Sequence, residues 1–198
     1  MSKLEHTALI VVDVQNDFAD PEGTLYVKGA QKIIPRINAA IDRVLKNGGL
    51  VFYTADWHPA RTPHFAKYGG IWPVHCVAET WGAQFYRGLE VGMGQVVRKG
   101  AGAENGYSGF SVLDKNGNTK RTMLDTLLRA AGITDVIICG LATDYCVRAT
   151  AVDARSLGYA ATLLTDAVAA VDLKFGDGAR ALLDMTAIDV RFSTAAKL

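Results

Sequence analysis

Short apolar runs alternate with helically spaced segments along the chain. Residues 7–14 (TALIVVDV) form a near-continuous apolar run, which is typical of a strand covered on both faces of a sheet. Apolar side chains then recur at helical spacing over residues 33–45, and Gly48 and Gly49 end that helix. Because strands that alternate with helices pair in parallel through right-handed crossovers, the sequence predicts an α/β fold built as a three-layer sandwich.

The alternation continues to the C-terminus and predicts a mainly parallel sheet of about six strands. The remaining predicted strands are residues 50–55, 95–98, 135–139, 161–164 and 188–192. The remaining predicted helices are residues 123–131, 143–157 and 178–185. We find no repeat or linker that divides the sequence, so we expect a single domain over residues 1–198.

Composition and charge exclude several classes of function. A formal net charge of +1 over 198 residues gives no field that would draw the protein onto nucleic acid or an anionic membrane. The apolar runs are too short to cross a bilayer, and residues 1–6 lack the apolar core of a signal peptide. The three cysteines argue against a disulfide framework. We therefore expect a reduced, cytoplasmic protein with neither nucleic acid nor membrane as a partner.

Two long segments, residues 56–95 and 100–121, lack clear periodicity and are rich in Gly, Pro and aromatic residues. Loops of this length in a compact domain are usually functional or disordered, and the aromatic content argues against disorder. The basic stretch at residues 115–121 is interrupted by Asn, Gly and Thr, which favours a solvated loop.

Chemically versatile side chains follow the predicted strands. Asp13 ends the first strand, Asp56 and His58 follow the second, Lys99 follows the third, and Cys146 lies just after the fourth. Because ligands bind at the carboxyl ends of strands in open α/β sheets, we expect these five residues at one rim of the sheet.

Cys146 is a candidate nucleophile. We expect Thr143 or Asp144 to cap the helix that follows the fourth strand, which would place Cys146 in its first turn. The N–H groups and dipole there favour a thiolate and could hold an oxyanion. The alternative is that Cys146 is a small buried apolar residue, the role we expect for Cys139.

A cysteine nucleophile needs a proton acceptor and a stabilising charge. The histidines form a separate group, so Asp13 becomes the candidate base. Lys99 becomes the cation that could keep both Asp13 and the thiolate charged. Taken alone, Asp13 would be better interpreted as a loop or cap carboxylate and Lys99 as a solvated lysine at a strand end.

Three of the four histidines lie close together in the sequence and suggest a metal site. Asp56 with His58, His64 and His75 makes a donor set suited to Zn²⁺, Fe²⁺ or Mn²⁺. The alternative is a group of loop histidines satisfied by hydrogen bonds. Cys76 could also ligate, although neighbouring residues rarely share one ion, and His6 is expected to be solvated.

Five blocks of the sequence together resemble the nicotinamidase/pyrazinamidase family of isochorismatase-like cysteine hydrolases. The blocks are residues 12–18 (VDVQNDF), 56–59 (DWHP), 72–76 (WPVHC), 99–100 (KG) and 140–147 (GLATDYCV). They occur in the family's order and cover nearly the whole chain. The resemblance implies the isochorismatase-like hydrolase fold.

The resemblance also implies roles for individual residues. The catalytic residues would be Asp13, Lys99 and Cys146, with an oxyanion hole formed by the N–H groups of Ala142 and Cys146 next to a cis peptide between Leu141 and Ala142. One divalent ion per chain, Zn²⁺ or alternatively Fe²⁺ or Mn²⁺, would be held by Asp56, His58 and His75, with His64 as a ligand that varies in the family. The substrate-binding residues would be Phe18, Trp72, Leu141 and Tyr107.

The activity that the resemblance implies is hydrolysis of nicotinamide to nicotinate and ammonia through a thioester, in NAD salvage, with pyrazinamide as a further substrate. One alternative is an amidohydrolase of the same superfamily that acts on a carbamoyl or ureido substrate. Two others are a catalytically silent metal-binding or scaffold protein and a metal–water hydrolase in which Cys146 is structural. A homo-oligomer is left open, because Leu182 and Leu183 could be core or interface.

Overall fold

The computed structural model describes residues 4–92, 94–102, 106–114 and 116–198. The strands are β1 Thr7–Val12, β2 Leu50–Asp56, β3 Gln95–Lys99, β4 Ser111–Leu113, β5 Thr119–Arg121, β6 Asp135–Leu141, β7 Ala160–Ala169 and β8 Arg191–Ser193. The α-helices are α1 Asn16–Ala19, α2 Ala30–Lys46, α3 Leu124–Ala130, α4 Arg148–Ser156 and α5 Asp177–Ala187.

Six strands form one sheet in the order β3-β2-β1-β6-β7-β8, and every neighbouring pair is parallel. Helix α2 packs on one face, and α3, α4 and α5 pack on the other. The predicted three-layer α/β sandwich with about six strands is therefore confirmed.

Strand β1 is fully buried between the two helical layers. Leu9 and Val11 belong to the core beneath α2, whereas Ala8 and Ile10 belong to the core beneath the opposite layer. Successive side chains of a strand point to opposite faces, so a strand covered on both faces needs an apolar residue at every position. A continuous apolar run such as residues 7–14 therefore indicates a strand that is buried on both faces.

Several element boundaries differ from the sequence-based expectation. Strand β1 ends at Val12 because Asp13 has a φ of 49°, which breaks the extended backbone. Strand β7 continues through the polar residues that follow Leu164, with an irregularity in its pairing to β6. The last strand starts at residue 191 because α5 continues to residue 187 and Asp189, with a φ of 61°, turns the chain.

The long segment at residues 100–121 contains structure that the periodicity does not reveal. Strands β4 and β5 form an antiparallel hairpin, so the predicted loop at residues 115–121 is wrong for Thr119–Arg121, although that strand is exposed. Lys115 lies outside the described residues. Within the described part of the chain, no helix is both long enough and apolar enough to cross a membrane.

Candidate active site

Four of the predicted site residues meet at the carboxyl ends of the central strands. Asp56 and Lys99 are the last residues of β2 and β3 and are direct neighbours in the parallel register. Asp13 occupies the bend after β1, and Cys146 lies on the turn that follows β6. The predicted rim therefore exists in the folded chain.

The buried ammonium group of Lys99 connects the other three side chains. Its Nζ lies 2.9 Å from Oδ2 of Asp13 and 3.6 Å from Sγ of Cys146, and it donates a hydrogen bond to Oδ1 of Asp56. A carboxylate oxygen of Asp13, one of Asp56 and the sulfur of Cys146 lie within 4.8 Å of one another. One cation thus neutralises two buried carboxylates and contacts the candidate nucleophile.

Burial and charge pairing oppose each other at the two tightest partners. Burial lowers the pKa of Lys99, but Asp13 and Asp56 reverse this and hold it well above its usual value. Burial raises the pKa of Asp56, but Lys99, His58 and His75 outweigh it and hold the pKa well below its usual range. Lys99 is therefore charged and Asp56 ionised at neutral pH.

At Asp13 and Cys146, burial outweighs the effect of Lys99. Burial raises the pKa of the Asp13 carboxyl, although Lys99 and a hydrogen bond from Thr54 lower it. Burial also raises the pKa of the Cys146 thiol well above its usual value, and Lys99 only partly offsets this. Burial therefore acts against the thiolate that the N–H groups and the dipole were expected to favour. The resting thiol holds its proton beside a carboxyl of raised basicity.

The turn that carries Cys146 also differs from a capped α-helix. Residues Thr143–Val147 form a π-helical turn without a side-chain cap, so the expectation that Thr143 or Asp144 caps it is wrong. The carbonyl of Ala142 accepts hydrogen bonds from the N–H groups on either side of Cys146, those of Tyr145 and Val147. The peptide bond between Leu141 and Ala142 is cis, as the resemblance implies.

Two polar residues with no role predicted from the sequence hold the acidic residues in position, Thr54 through the carboxylate of Asp13 and Gln15 through the backbone of Asp56. The Thr54 hydroxyl donates to Oδ1 of Asp13 at 2.6 Å. The Gln15 amide donates to the carbonyls of Asp56 and Ala83 and accepts from the Asp56 N–H at 2.8 Å. Thr54 could have been noticed as a polar residue within an apolar strand, whereas Gln15 carries no signal of periodicity.

Beside this network lie the three histidines of the predicted metal site. One ring nitrogen from each of His58, His64 and His75 lies within 4.8 Å of the other two, and all three residues are buried. Oδ2 of Asp56 lies 3.6 Å from Nε2 of His58 and 3.8 Å from Nε2 of His75. Nδ1 of His75 is engaged by the Pro73 carbonyl at 2.7 Å, which leaves Nε2 for the cluster.

This group of side chains fits a divalent cation. Among the described residues, neither ring nitrogen of the fully buried His58 has a hydrogen-bond partner. An unsatisfied buried polar atom is costly, and a metal ion would satisfy it. The lack of a side chain at Gly100 lets the backbone lie against the ring of His58, since a Cβ there would be 2.6 Å from Cε1 of His58.

The remaining candidate ligands lie elsewhere. The nearest hydrogen-bond acceptor of the Cys76 sulfur is the Gly82 carbonyl at 3.8 Å, and Cys76 is not among the side chains grouped around the histidines. His6 is exposed and bonds to the Gly132 carbonyl at 2.9 Å. Cys139 is buried in β6, in agreement with a structural role.

A cleft opens beside Cys146, His64 and His75. It is lined by all four residues expected to bind substrate, Phe18, Trp72, Leu141 and Tyr107, and by Ala142. Nε1 of Trp72 donates to the Tyr107 hydroxyl at 3.1 Å, and the ring of Phe18 lies 5.4 Å from that of His75. The sequence reasoning missed four further lining residues: Leu25, Val27, Tyr145 and Val171.

Comparison with known proteins agrees with this geometry. The model of the isochorismatase domain matches residues 7–191. The chain belongs to the isochorismatase family. It is 35% identical to the nicotinamidase of Escherichia coli, and the match covers 96% of this chain and 95% of that protein.

Solved structures of a pyrazinamidase and of a nicotinate-bound protein are also similar to this isochorismatase-family chain. A pyrazinamidase of Pyrococcus horikoshii in complex with zinc is 39% identical, with a TM-score of 0.86 over 96% of this chain and 99% of that one. PnC1 from L. infantum in complex with nicotinate is 33% identical, with a TM-score of 0.88 over 99% and 96% of the two chains. The predicted membership of the nicotinamidase/pyrazinamidase group, and with it the enzyme class, is confirmed.

Proposed function

We propose that this chain hydrolyses nicotinamide to nicotinate and ammonia, with Cys146 as the nucleophile. The observation that carries this is the position of the Cys146 sulfur. It lies 3.6 Å from Lys99, beside Asp13, at the floor of an aromatic cleft whose wall includes two of the three clustered histidines. A flat heteroaromatic amide suits such a cleft, because aromatic side chains can pack on or against the edge of its ring.

The catalytic residues divide the reaction into two stages. Asp13 accepts the thiol proton as the sulfur of Cys146 attacks the carboxamide carbon, and the N–H groups of Ala142 and Cys146 stabilise the oxyanion. Asp13 returns the proton to the departing nitrogen, so that the C–N bond breaks and ammonia leaves a thioester. Asp13 then deprotonates a water molecule, which attacks the thioester. The C–S bond breaks, the proton on Asp13 returns to the sulfur, and nicotinic acid leaves and ionises to nicotinate.

Lys99 has a supporting part in each stage. Its ammonium group stays beside Asp13 and Cys146 while negative charge moves between the carboxylate and the sulfur. A buried cation that keeps its own charge stabilises negative charge on the carboxylate and on the sulfur alike, without gaining or losing a proton. The hydrogen bond from Thr54 fixes the Asp13 carboxylate during these transfers.

Asp56, His58 and His75, with His64 as a fourth donor, would hold the divalent ion. When bound, such an ion offers a Lewis-acid position to a ring nitrogen and thereby orients the substrate. Zn²⁺ fits the nitrogen-rich donor set, and Fe²⁺ and Mn²⁺ are alternatives.

Substrates that differ at one ring position test the proposal. Nicotinamide and pyrazinamide both place a ring nitrogen meta to the carboxamide, whereas benzamide has carbon there. We expect both heteroaromatic amides to release ammonia and benzamide to be at least about 100-fold slower in kcat/KM, since a site built for a polar contact rejects an analogue that lacks it. Equal rates on nicotinamide and benzamide would contradict a role for the ring nitrogen.

Replacement of His58 tests the ligand assignment. We expect His58→Ala to lose most of its bound metal in elemental analysis after dialysis, because it removes a central donor of the cluster. His6→Ala is the matched control, since the ring of this exposed histidine bonds to the Gly132 carbonyl, away from the cluster, and it should keep the metal content of the original chain. Full metal content in the His58 variant would show that the assignment is wrong.

The main rival is an amidohydrolase acting on a carbamoyl or ureido substrate. It would use the same Asp13, Lys99 and Cys146 but would have no need of a buried histidine cluster, so the fit of His58 and its neighbours to a cation favours nicotinamide. Three expectations from the sequence remain proposals: one domain over residues 1–198, a cytoplasmic role in NAD salvage, and possible assembly as a homo-oligomer.

A further inference from the structure

The segment between β7 and α5 contributes Val171 to the cleft but exposes its other large apolar side chains. Leu173 is 62% exposed and Phe175 is fully exposed. Hydrophobic contact holds a segment only in proportion to the apolar surface it buries. Val171 itself packs against the core beneath α2, whereas the rest of the segment is held by polar anchors.

Asp144 supplies the anchor nearest to the cleft. Its Oδ1 accepts a hydrogen bond from the Val171 N–H at 3.0 Å, and its Oδ2 accepts one from the Asp172 N–H at 2.9 Å. Bonds of this kind, from N–H groups to a charged carboxylate, are stronger than bonds between neutral groups. Both oxygens are thus committed to the segment that carries Val171.

Two other carboxylates fix the same segment away from the cleft. Asp172 accepts from the Gly178 N–H at 2.8 Å, and Asp177 accepts from the Lys174 N–H at 2.9 Å. Neither bond involves a residue that lines the cleft. Of these three carboxylates, Asp144 is the one that ties the segment to the turn that carries Cys146.

We propose that Asp144 is a positioning residue that sets the place of Val171 in the cleft and so determines how tightly the substrate ring is held. This rests on the proposed hydrolysis of nicotinamide. Asp144 acts through the wall of the cleft and not on the reacting atoms. Its loss should therefore weaken substrate binding more than it slows the chemical steps.

Steady-state ammonia release by the metal-loaded enzyme tests this. In Asp144→Asn, an NH₂ group replaces one of the two acceptor oxygens. Because NH₂ cannot accept a hydrogen bond, one of the two bonds to the segment is lost. We expect KM for nicotinamide to rise about fivefold to tenfold, the effect of one hydrogen bond of typical net strength. We expect kcat to stay within about twofold, as when binding alone is lost. Asp177→Asn removes a charge at the far end of the segment but keeps an oxygen that can accept from the Lys174 N–H, so it should leave KM unchanged.

A double-mutant cycle with Val171→Ala shows whether Asp144 acts through Val171. Both single variants should raise KM, and the double variant should match the larger single effect, because residues on one path are not additive. If Asp144→Asn does not fold, Asp144→Ser, which keeps one acceptor, carries the same expectation.

Four results would overturn the inference: an unchanged KM in the Asp144 variant, a fall in kcat without a rise in KM, an equal effect of Asp177→Asn, or full additivity with Val171→Ala. An original chain that releases no ammonia from nicotinamide would instead contradict the proposed function, and with it this inference.

Discussion

Replacement of Cys146 by alanine is expected to abolish ammonia release from nicotinamide, with kcat falling about 10⁴-fold or more, as for other enzymes that lose their nucleophile. The reason is that the sulfur is the atom that forms the covalent bond, and no other thiol lies in the cleft. The variant should still bind metal and nicotinate, because the histidines and the aromatic wall are unchanged. Single-turnover ammonia assays and calorimetric titration with nicotinate measure the two parts separately.

Cys139→Ala is the matched control for this experiment. Cys139 is as deeply buried as Cys146, but it lies within β6 and does not line the cleft. Its truncation should cost some stability and leave kcat close to that of the original enzyme. Turnover that survives in Cys146→Ala would move the chemistry to another nucleophile, such as water at the histidine cluster.

Replacement of Lys99 by methionine is expected to destabilise the fold and to remove activity together. It leaves the carboxylates of Asp13 and Asp56 buried without their shared cation. Removing one partner of a buried ion pair typically costs about 3–5 kcal/mol in the free energy of unfolding. Urea denaturation of the metal-loaded protein measures this loss, and ammonia release measures the loss of activity.

Two further variants show what the Lys99 experiment measures. Lys120→Met, at an exposed position on β5, should change the free energy of unfolding by less than about 0.5 kcal/mol. Adding Asp13→Asn to Lys99→Met removes one of the unpaired charges, so it should recover part of the stability but none of the activity. A Lys99→Met enzyme that is as stable and as active as the original would disprove the charge network.

The sequence predicted the sheet and the rim because both follow from local patterns. The apolar run of β1 is typical of a strand buried on both faces, and parallel pairing then brings the residues after β1, β2 and β3 to one edge. Asp13, Asp56 and Lys99 were therefore placed together by topology alone. The resemblance supplied the particular roles, which no periodicity contains.

What the sequence did not predict depends on contacts between distant segments. Asp144 was one of two residues, with Thr143, expected to cap its own helix, but its carboxylate instead accepts hydrogen bonds from the N–H groups of residues 171 and 172. The hairpin of β4 and β5 has strands of three residues, too short for an alternation to be recognised. The raised pKa of Cys146 arises mainly from burial beneath the cleft, which depends on the folded arrangement of distant segments.

The most direct test of the central claim is ammonia release from nicotinamide by the purified protein before and after chelation, with Zn²⁺, Fe²⁺ or Mn²⁺ then restored. We expect release by the metal-loaded protein, loss of release on chelation and recovery with at least one of the three ions. Release that is indifferent to the chelator would leave Cys146, Asp13 and Lys99 as proposed but remove the metal from the account. No ammonia with any of the three ions would contradict the proposed activity.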